Sequence, residues 1–304
     1  MKKENNRFAI DTIKRPNVLL LGNGMLRLGN NGKSWEQLLD DIKLRDGVNV
    51  KFIPSAMRPE AFCGVDVEEI QRRVSKEIET LKDVHSLLCE LLSLPFDAIL
   101  TTNYTYEVES VLSEKNWTER ARKSAFLALD GNTKVNHNTF VCNAVVTGDG
   151  RTVPVFHIHG EKDRKHSMVL SYYSYANALS RLTGYNKALG NTLYEYQQDG
   201  RKLVCKCWLD YFILGNVWSV GLGMDVSEFD LWWAIERKAR ECAEHGFFKA
   251  YFDGEEKDDN PQKVLLDAMN MKYDYYPVED NNYAAMYERV IMDIKKGLTA
   301  ESRD

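Results

Sequence analysis

Short apolar runs that end on a glycine or a polar residue, separated by stretches of helical periodicity, limit most what this chain can fold into. Val18, Leu19, Leu20 and Leu21 run straight into Gly22, and such a run fits a strand buried on both faces. Residues 96–101, 153–158, 217–220, 247–252 and 272–276 complete a set of six. Ser34, with Gln37 three residues on, reads as a capping box that opens a helix on Trp35, Leu38, Leu39 and Ile42. Ile70, Val74, Ile78, Leu81, Val84, Leu88 and Leu91 recur at helical spacing and predict one long amphipathic helix over 67–92, stopped by Pro95. Residues 44–66, with Gly47, Pro54, Pro59 and Gly64, read as broken structure. Further helices are expected near Ser227, Pro261 and Asn282, and fraying after Leu298.

Strands alternating with helices point to an α/β fold: about six strands in a mainly parallel sheet, with helices on both faces. The 304 residues read as one unit, 1–304, carrying helical or irregular insertions at about 104–152 and 161–210. A formal net charge of −5 disfavours direct nucleic-acid or membrane-surface binding, since phosphates call for a basic face. The basic stretch from Lys162 to His166 is too short to reverse that and reads as a solvated loop. No run approaches the ~20 apolar residues of a membrane span, and no apolar segment follows the N-terminal lysines, so a cytoplasmic protein is expected. None of the six cysteines forms a Cys-x-x-Cys pair, so free thiols and no metal are expected. Cys205 and Cys207, two apart, would share one face of a strand.

Ligands of open α/β sheets bind at the carboxyl ends of the strands, and four of these ends are unusual. They read Gly22-Asn23-Gly24, Thr101-Thr102-Asn103-Tyr104, His157-Ile158-His159-Gly160 and Gly221-Leu222-Gly223. Gly22 and Gly24 let a pyrophosphate approach backbone N–H groups. The dinucleotide pattern of hydride-transfer enzymes needs a third glycine where Arg27 stands, and an acid at the end of the next strand. Both are missing, which disfavours a dehydrogenase. Asn103 offers a donor and an acceptor, and His159 can exchange a proton near neutral pH. Each has a plainer reading: Asn103 as a helix cap, His159 as a satisfied core histidine. His157 competes for the role of His159.

In this order, the four strand ends resemble the sirtuin superfamily, with its Gly-Ala-Gly turn, Thr-Gln-Asn-Ile-Asp motif, catalytic His-Gly pair and late glycine turn. The resemblance implies a Rossmann-like core. It is nearest to the bacterial sirtuin-like NAD hydrolases, whose middle motif usually reads Thr-Thr-Asn-Tyr-Asp and whose late turn precedes a Trp-rich helix, here Ser227 to Trp233. It implies catalytic roles for Asn103 and His159. It implies NAD+ binding by Gly22, Asn23, Gly24, Thr101, Thr102, Gly221, Leu222 and Gly223, with NAD+ as substrate. It also implies an NAD-depleting anti-phage effector, a homo-oligomer, and a trigger such as a ring-forming ATPase of the DNA-translocase type; the long helix over 67–92 is a candidate contact surface. Thr105 departs from the family's Asp. The four zinc cysteines and the Pro-Asp-Phe-Arg run of the deacylases are absent, which disfavours the first alternative, an NAD-dependent protein deacylase. A non-catalytic NAD- or nucleotide-sensing subunit is the second.

Asp230 reads as a helix-terminus charge or a group behind the site, and Ser227 as an N-cap. Tyr275 and Tyr276 are candidates for an adenine wall. Trp232 and Trp233 read as core or interface residues.

Overall fold

The structure, a computed structural model, describes residues 14–28, 32–129, 138–188, 198–199, 202–242 and 246–301. Parts of both expected insertions lie outside them. The strands are β1 (Asn17–Leu21), β2 (Ala98–Thr101), β3 (Phe126–Ala128), β4 (Val141–Val146), β5 (Thr152–His157), β6 (Gln198–Asp199), β7 (Lys202–Leu203), β8 (Asn216–Val220), β9 (Phe248–Asp253) and β10 (Lys272–Tyr276). The helices are α1 (Trp35–Ile42), α2 (Arg58–Cys63), α3 (Val67–Glu77), α4 (Ser86–Leu92), α5 (Glu107–Leu112), α6 (Glu119–Ala125), α7 (Tyr172–Ala188), α8 (Trp208–Leu214), α9 (Phe229–Cys242), α10 (Pro261–Ala268) and α11 (Tyr283–Glu301).

One eight-stranded sheet has the order β10-β9-β8-β1-β2-β5-β4-β3. From β10 to β5 all pairs are parallel. These six strands are the six expected from sequence. The segment 104–152 adds what periodicity did not announce: β4 antiparallel to β5, and β3 antiparallel to β4. The sheet therefore has eight strands rather than six. β1 meets β2 on one side and β8 on the other, so the chain order reverses there; a crevice opens at such a switch point.

The alternation of side chains along each strand divides the core. Val18 and Leu20 pack on one face with α8 and α9, through Phe212, Ile213, Leu231 and Ile235. Leu19 and Leu21 pack on the other with α4 and α11, through Leu88, Leu91, Val290 and Ile294. Helices thus cover both faces, as a buried parallel sheet requires. Lys238 of α9 is fully buried, and its Nζ donates to the carbonyls of Phe212, Ile213 and Gly215. It caps the carboxyl end of α8.

The capping box at Ser34 is present, with Gln37 as its partner. The long helix over 67–92 is not one helix. It breaks after Glu77 and resumes at Ser86. Side chains from elsewhere take up the backbone between: Glu107 accepts from the Leu81 N–H, and Lys162 donates to the Ile78 carbonyl. Ile70 and Val74 face one apolar cluster and Leu88 and Leu91 another, so no continuous apolar stripe remains as a partner surface. Residues 162–167 form a 3-10 turn tied down by Lys162 and by the Arg164–Glu161 ion pair, rather than a solvated loop. Cys205 and Cys207 lie in irregular chain before α8, not on a strand. Helix α11 continues past Leu298 to Glu301. No helix among the described residues is long and apolar enough to cross a membrane.

Candidate functional site

A cleft of about 1450 Å³ opens at the carboxyl ends of the parallel strands. Asn23, Gly24, Thr102, Asn103, His159, Gly221, Leu222 and Gly223 all line it. Gly22 and Thr101 lie behind its wall and shape it. The Gly22 N–H donates to the Val220 carbonyl, and a Cβ on Gly22 would stand 2.3 Å from the Gly221 oxygen. The first and last glycine turns therefore touch backbone to backbone, which only glycine permits. The Thr101 hydroxyl donates to the Leu21 carbonyl and accepts from the Asn103 N–H. It fixes how the chain leaves β2.

Asn103 is buried, and its Nδ2 donates to the Gly22 carbonyl at 3.3 Å. A carbonyl can only accept, so this contact sets the amide's orientation and leaves Oδ1 as its free acceptor. Asn103 caps no helix; α5 begins at Glu107, with Tyr106 in the capping position.

The two histidines separate cleanly. His157 is buried between the Asn103 carbonyl, 2.7 Å from Nδ1, and Glu109, 2.7 Å from Nε2. It is the satisfied core histidine, and it does not line the cleft. His159 does line it, with its ring edge-on to Tyr175 and its Nε2 3.2 Å from Asp230. Its Nδ1 has no hydrogen-bond partner among the described residues. Burial alone would lower its pKa, but the Asp230 carboxylate more than offsets that, and the net shift is upward. The pair favours imidazolium, so the expected proton acceptor near neutral pH is instead held toward its cationic form. Asp230 sits in the first turn of α9 and orients the ring from behind.

Ser227 is not the N-cap of α9. Its hydroxyl accepts from the Ala56 N–H and donates to Asp225, while the helix starts two residues later. Tyr275 and Tyr276 do not reach the cleft; Tyr251, Tyr283 and Tyr287 do. Trp232 and Trp233 pack in and against the core beside α8.

Among the acids that line the cleft, Asp253, Glu107 and Glu228 have no assigned role in the sequence. Asp253, the last residue of β9, lies one position beyond the strand's expected end. Glu107 is buried beside Thr105, and burial raises its carboxyl above the usual range, with a Thr105 hydrogen bond pulling the other way. Glu228 lines the cleft beside the late glycine turn, and burial lifts it to about 7 against the opposing pull of His159. In sequence both glutamates look like the acids that ordinarily complement a helix start.

Among the described residues, no three His, Cys, Asp or Glu side chains are grouped to hold a metal ion. No protein-family model matches the chain, and no curated protein sequence gives a significant match. The site therefore has to be read from its own chemistry.

Proposed function

We propose that this protein hydrolyses NAD+ at the bond between nicotinamide and ribose, releasing nicotinamide and ADP-ribose. One observation carries the reading: Asn103 and His159, from two strand ends, face one cleft floored by two glycine turns in backbone contact. That is the set of residues for which the sirtuin-like resemblance calls.

Nicotinamide leaves as a neutral molecule from a cationic substrate, so the reaction needs little acid assistance. The site must hold the ribose, tolerate positive charge at C1′ and admit water. The free Oδ1 of Asn103 suits a ribose hydroxyl. The glycine turns offer backbone close enough for a pyrophosphate. His159, with Nε2 committed to Asp230, has Nδ1 to offer. On the same resemblance we read the chain as an NAD-depleting effector of anti-phage defence, working as a homo-oligomer. Its release would depend on a partner such as a ring-forming ATPase.

The test incubates the purified protein with NAD+, with and without an acetyl-lysine peptide, and resolves the products. Nicotinamide and ADP-ribose without peptide are expected, and Asn103→Ala and His159→Ala should each lower turnover by roughly 10²–10⁴-fold with the fold retained. Peptide-dependent turnover would make the protein a deacylase. Bound but unconsumed NAD+ would make it a sensor.

A further inference from the structure

We propose that Glu228 is the proton acceptor of the cleft, taking the proton of the water that attacks C1′ of the ribose. The inference rests on the NAD+ reading above and supplies the base which that reading lacks once His159 is paired.

Elimination among the groups that face one another at this end of the cleft leads there. His159 has its Nε2 on Asp230. The Asp230 carboxylate serves His159 and the Leu231 N–H. Asp225 spends its oxygens on Ser227 and Ser55, with Arg58 of α2 adding charge behind it. The Tyr104 hydroxyl donates to the Val169 carbonyl, and burial holds Tyr104 and Tyr175 far above the range in which a phenol gives up its proton. Glu228 remains. Its Oε2 is closed off from solvent and accepts no hydrogen bond, as is also the case for Oε2 of Glu60, Glu107 and Glu109. Its backbone is fixed, with the N–H on the Asp225 carbonyl and the carbonyl receiving the Trp232 N–H. Its Oε1, which is not closed off and takes no hydrogen bond from the described residues, belongs to a side chain lining the same cleft as His159 and is the oxygen suited to bind a water or ribose hydroxyl.

Its protonation fits the task. Burial raises the carboxyl, His159 lowers it, Asp230 and Asp225 raise it again, and the balance lies at about 7. A base half-ionised at the working pH is strong enough to accept a proton and weak enough to return it. The step balances. The C1′–N bond breaks with its electron pair leaving on nicotinamide, and a C1′–O bond forms to the water oxygen. The water's proton passes to the Glu228 carboxylate and then to solvent.

Two measurements test it. In the first, E228Q is compared with the parent over pH 5.5–9. Turnover of E228Q should fall roughly 10²-fold or more, KM for NAD+ should stay within about threefold, and the acidic limb near pH 7 should vanish. Turnover within twofold of the parent, or a retained limb, overturns the proposal. The second does not depend on activity: carboxyl ¹³C NMR of Glu-labelled protein, with Glu228 assigned through its own backbone. Glu228 should titrate near neutral pH and shift when ADP-ribose is added. If ADP-ribose moves other cleft resonances and leaves Glu228 untouched, the proposal fails while the nucleotide reading stands. If it moves none, both fall.

Discussion

Gly22 and Gly223 belong to glycine turns of similar appearance, yet the fold asks different things of them. A methyl group on Gly22 would meet the Gly221 oxygen at 2.3 Å, and backbone cannot swing aside. A methyl group on Gly223 would meet nothing within 4 Å. Gly22→Ala is therefore expected to cost about 2–3 kcal/mol by overpacking, and Gly223→Ala about 0.5 kcal/mol or less. Midpoints of urea unfolding check the pair; equal losses would mean that the two turns do not touch. The same contrast separates the histidines. Two positions apart on one strand end, they differ in sequence only by the glycine that follows His159; what distinguishes them physically is the acid that each meets. Glu109 comes from α5 and Asp230 from α9.

At the level of elements, the break between α3 and α4 is the instructive case. The spacing of Ile70, Val74, Ile78, Leu81, Val84 and Leu88 satisfies a helix throughout. A helix also uses its own backbone, and here the backbone has competing partners. Glu107 accepts from the Leu81 N–H and Lys162 donates to the Ile78 carbonyl, while the Thr80 hydroxyl ties the stretch to α5 by accepting from the Tyr106 N–H. His85 then starts α4 by accepting from the Leu87 N–H. The unwound stretch becomes a wall of the cleft, with Ile78, Thr80 and Leu81 along it. Removing the acceptor of the part-buried Leu81 N–H should cost about 1 kcal/mol. Glu107→Ala is expected to lose that much and to speed hydrogen exchange at the Leu81 amide; Glu107→Gln, which keeps an acceptor, is expected to do neither. Unchanged exchange in Glu107→Ala would show that the wall is held some other way.

For the whole molecule, stability is tied to a buried charge pair between β5 and α5. Burial by itself would depress the His157 pKa, but Glu109, with help from Glu161 and the Asn103 carbonyl, raises it to about 9. The unfolded value is near 6.5. A folded pKa above the unfolded one adds stability that is fully present below about pH 6.5 and is lost as pH rises through about 9. His159, also raised, acts in the same direction. The His157 pair alone amounts to roughly 3 kcal/mol at most. The urea midpoint should fall between pH 6.5 and 9.5, and Glu109→Gln should flatten that slope by lowering the acid end. A midpoint in the parent that stays level across this range would remove the pair from the account.

The sequence by itself determined the six parallel strands, because each is an apolar run long enough to be buried on both faces and to end abruptly where the chain turns. It also determined the four strand ends that meet at the cleft, since a parallel sheet sends all its carboxyl ends to one edge. Strand β3, three residues long, and β4, inside a polar-rich segment, carry too little local pattern and take their structure from the edge of β5. Only the tertiary structure decided which acid each histidine meets, where the helix over 67–92 breaks, and that Glu107 is buried and Glu228 half-buried against the cleft. Apolar burial is written in periodicity, residue by residue. The state of a polar group depends on what stands opposite it, and those partners come from positions 26 to 84 residues away.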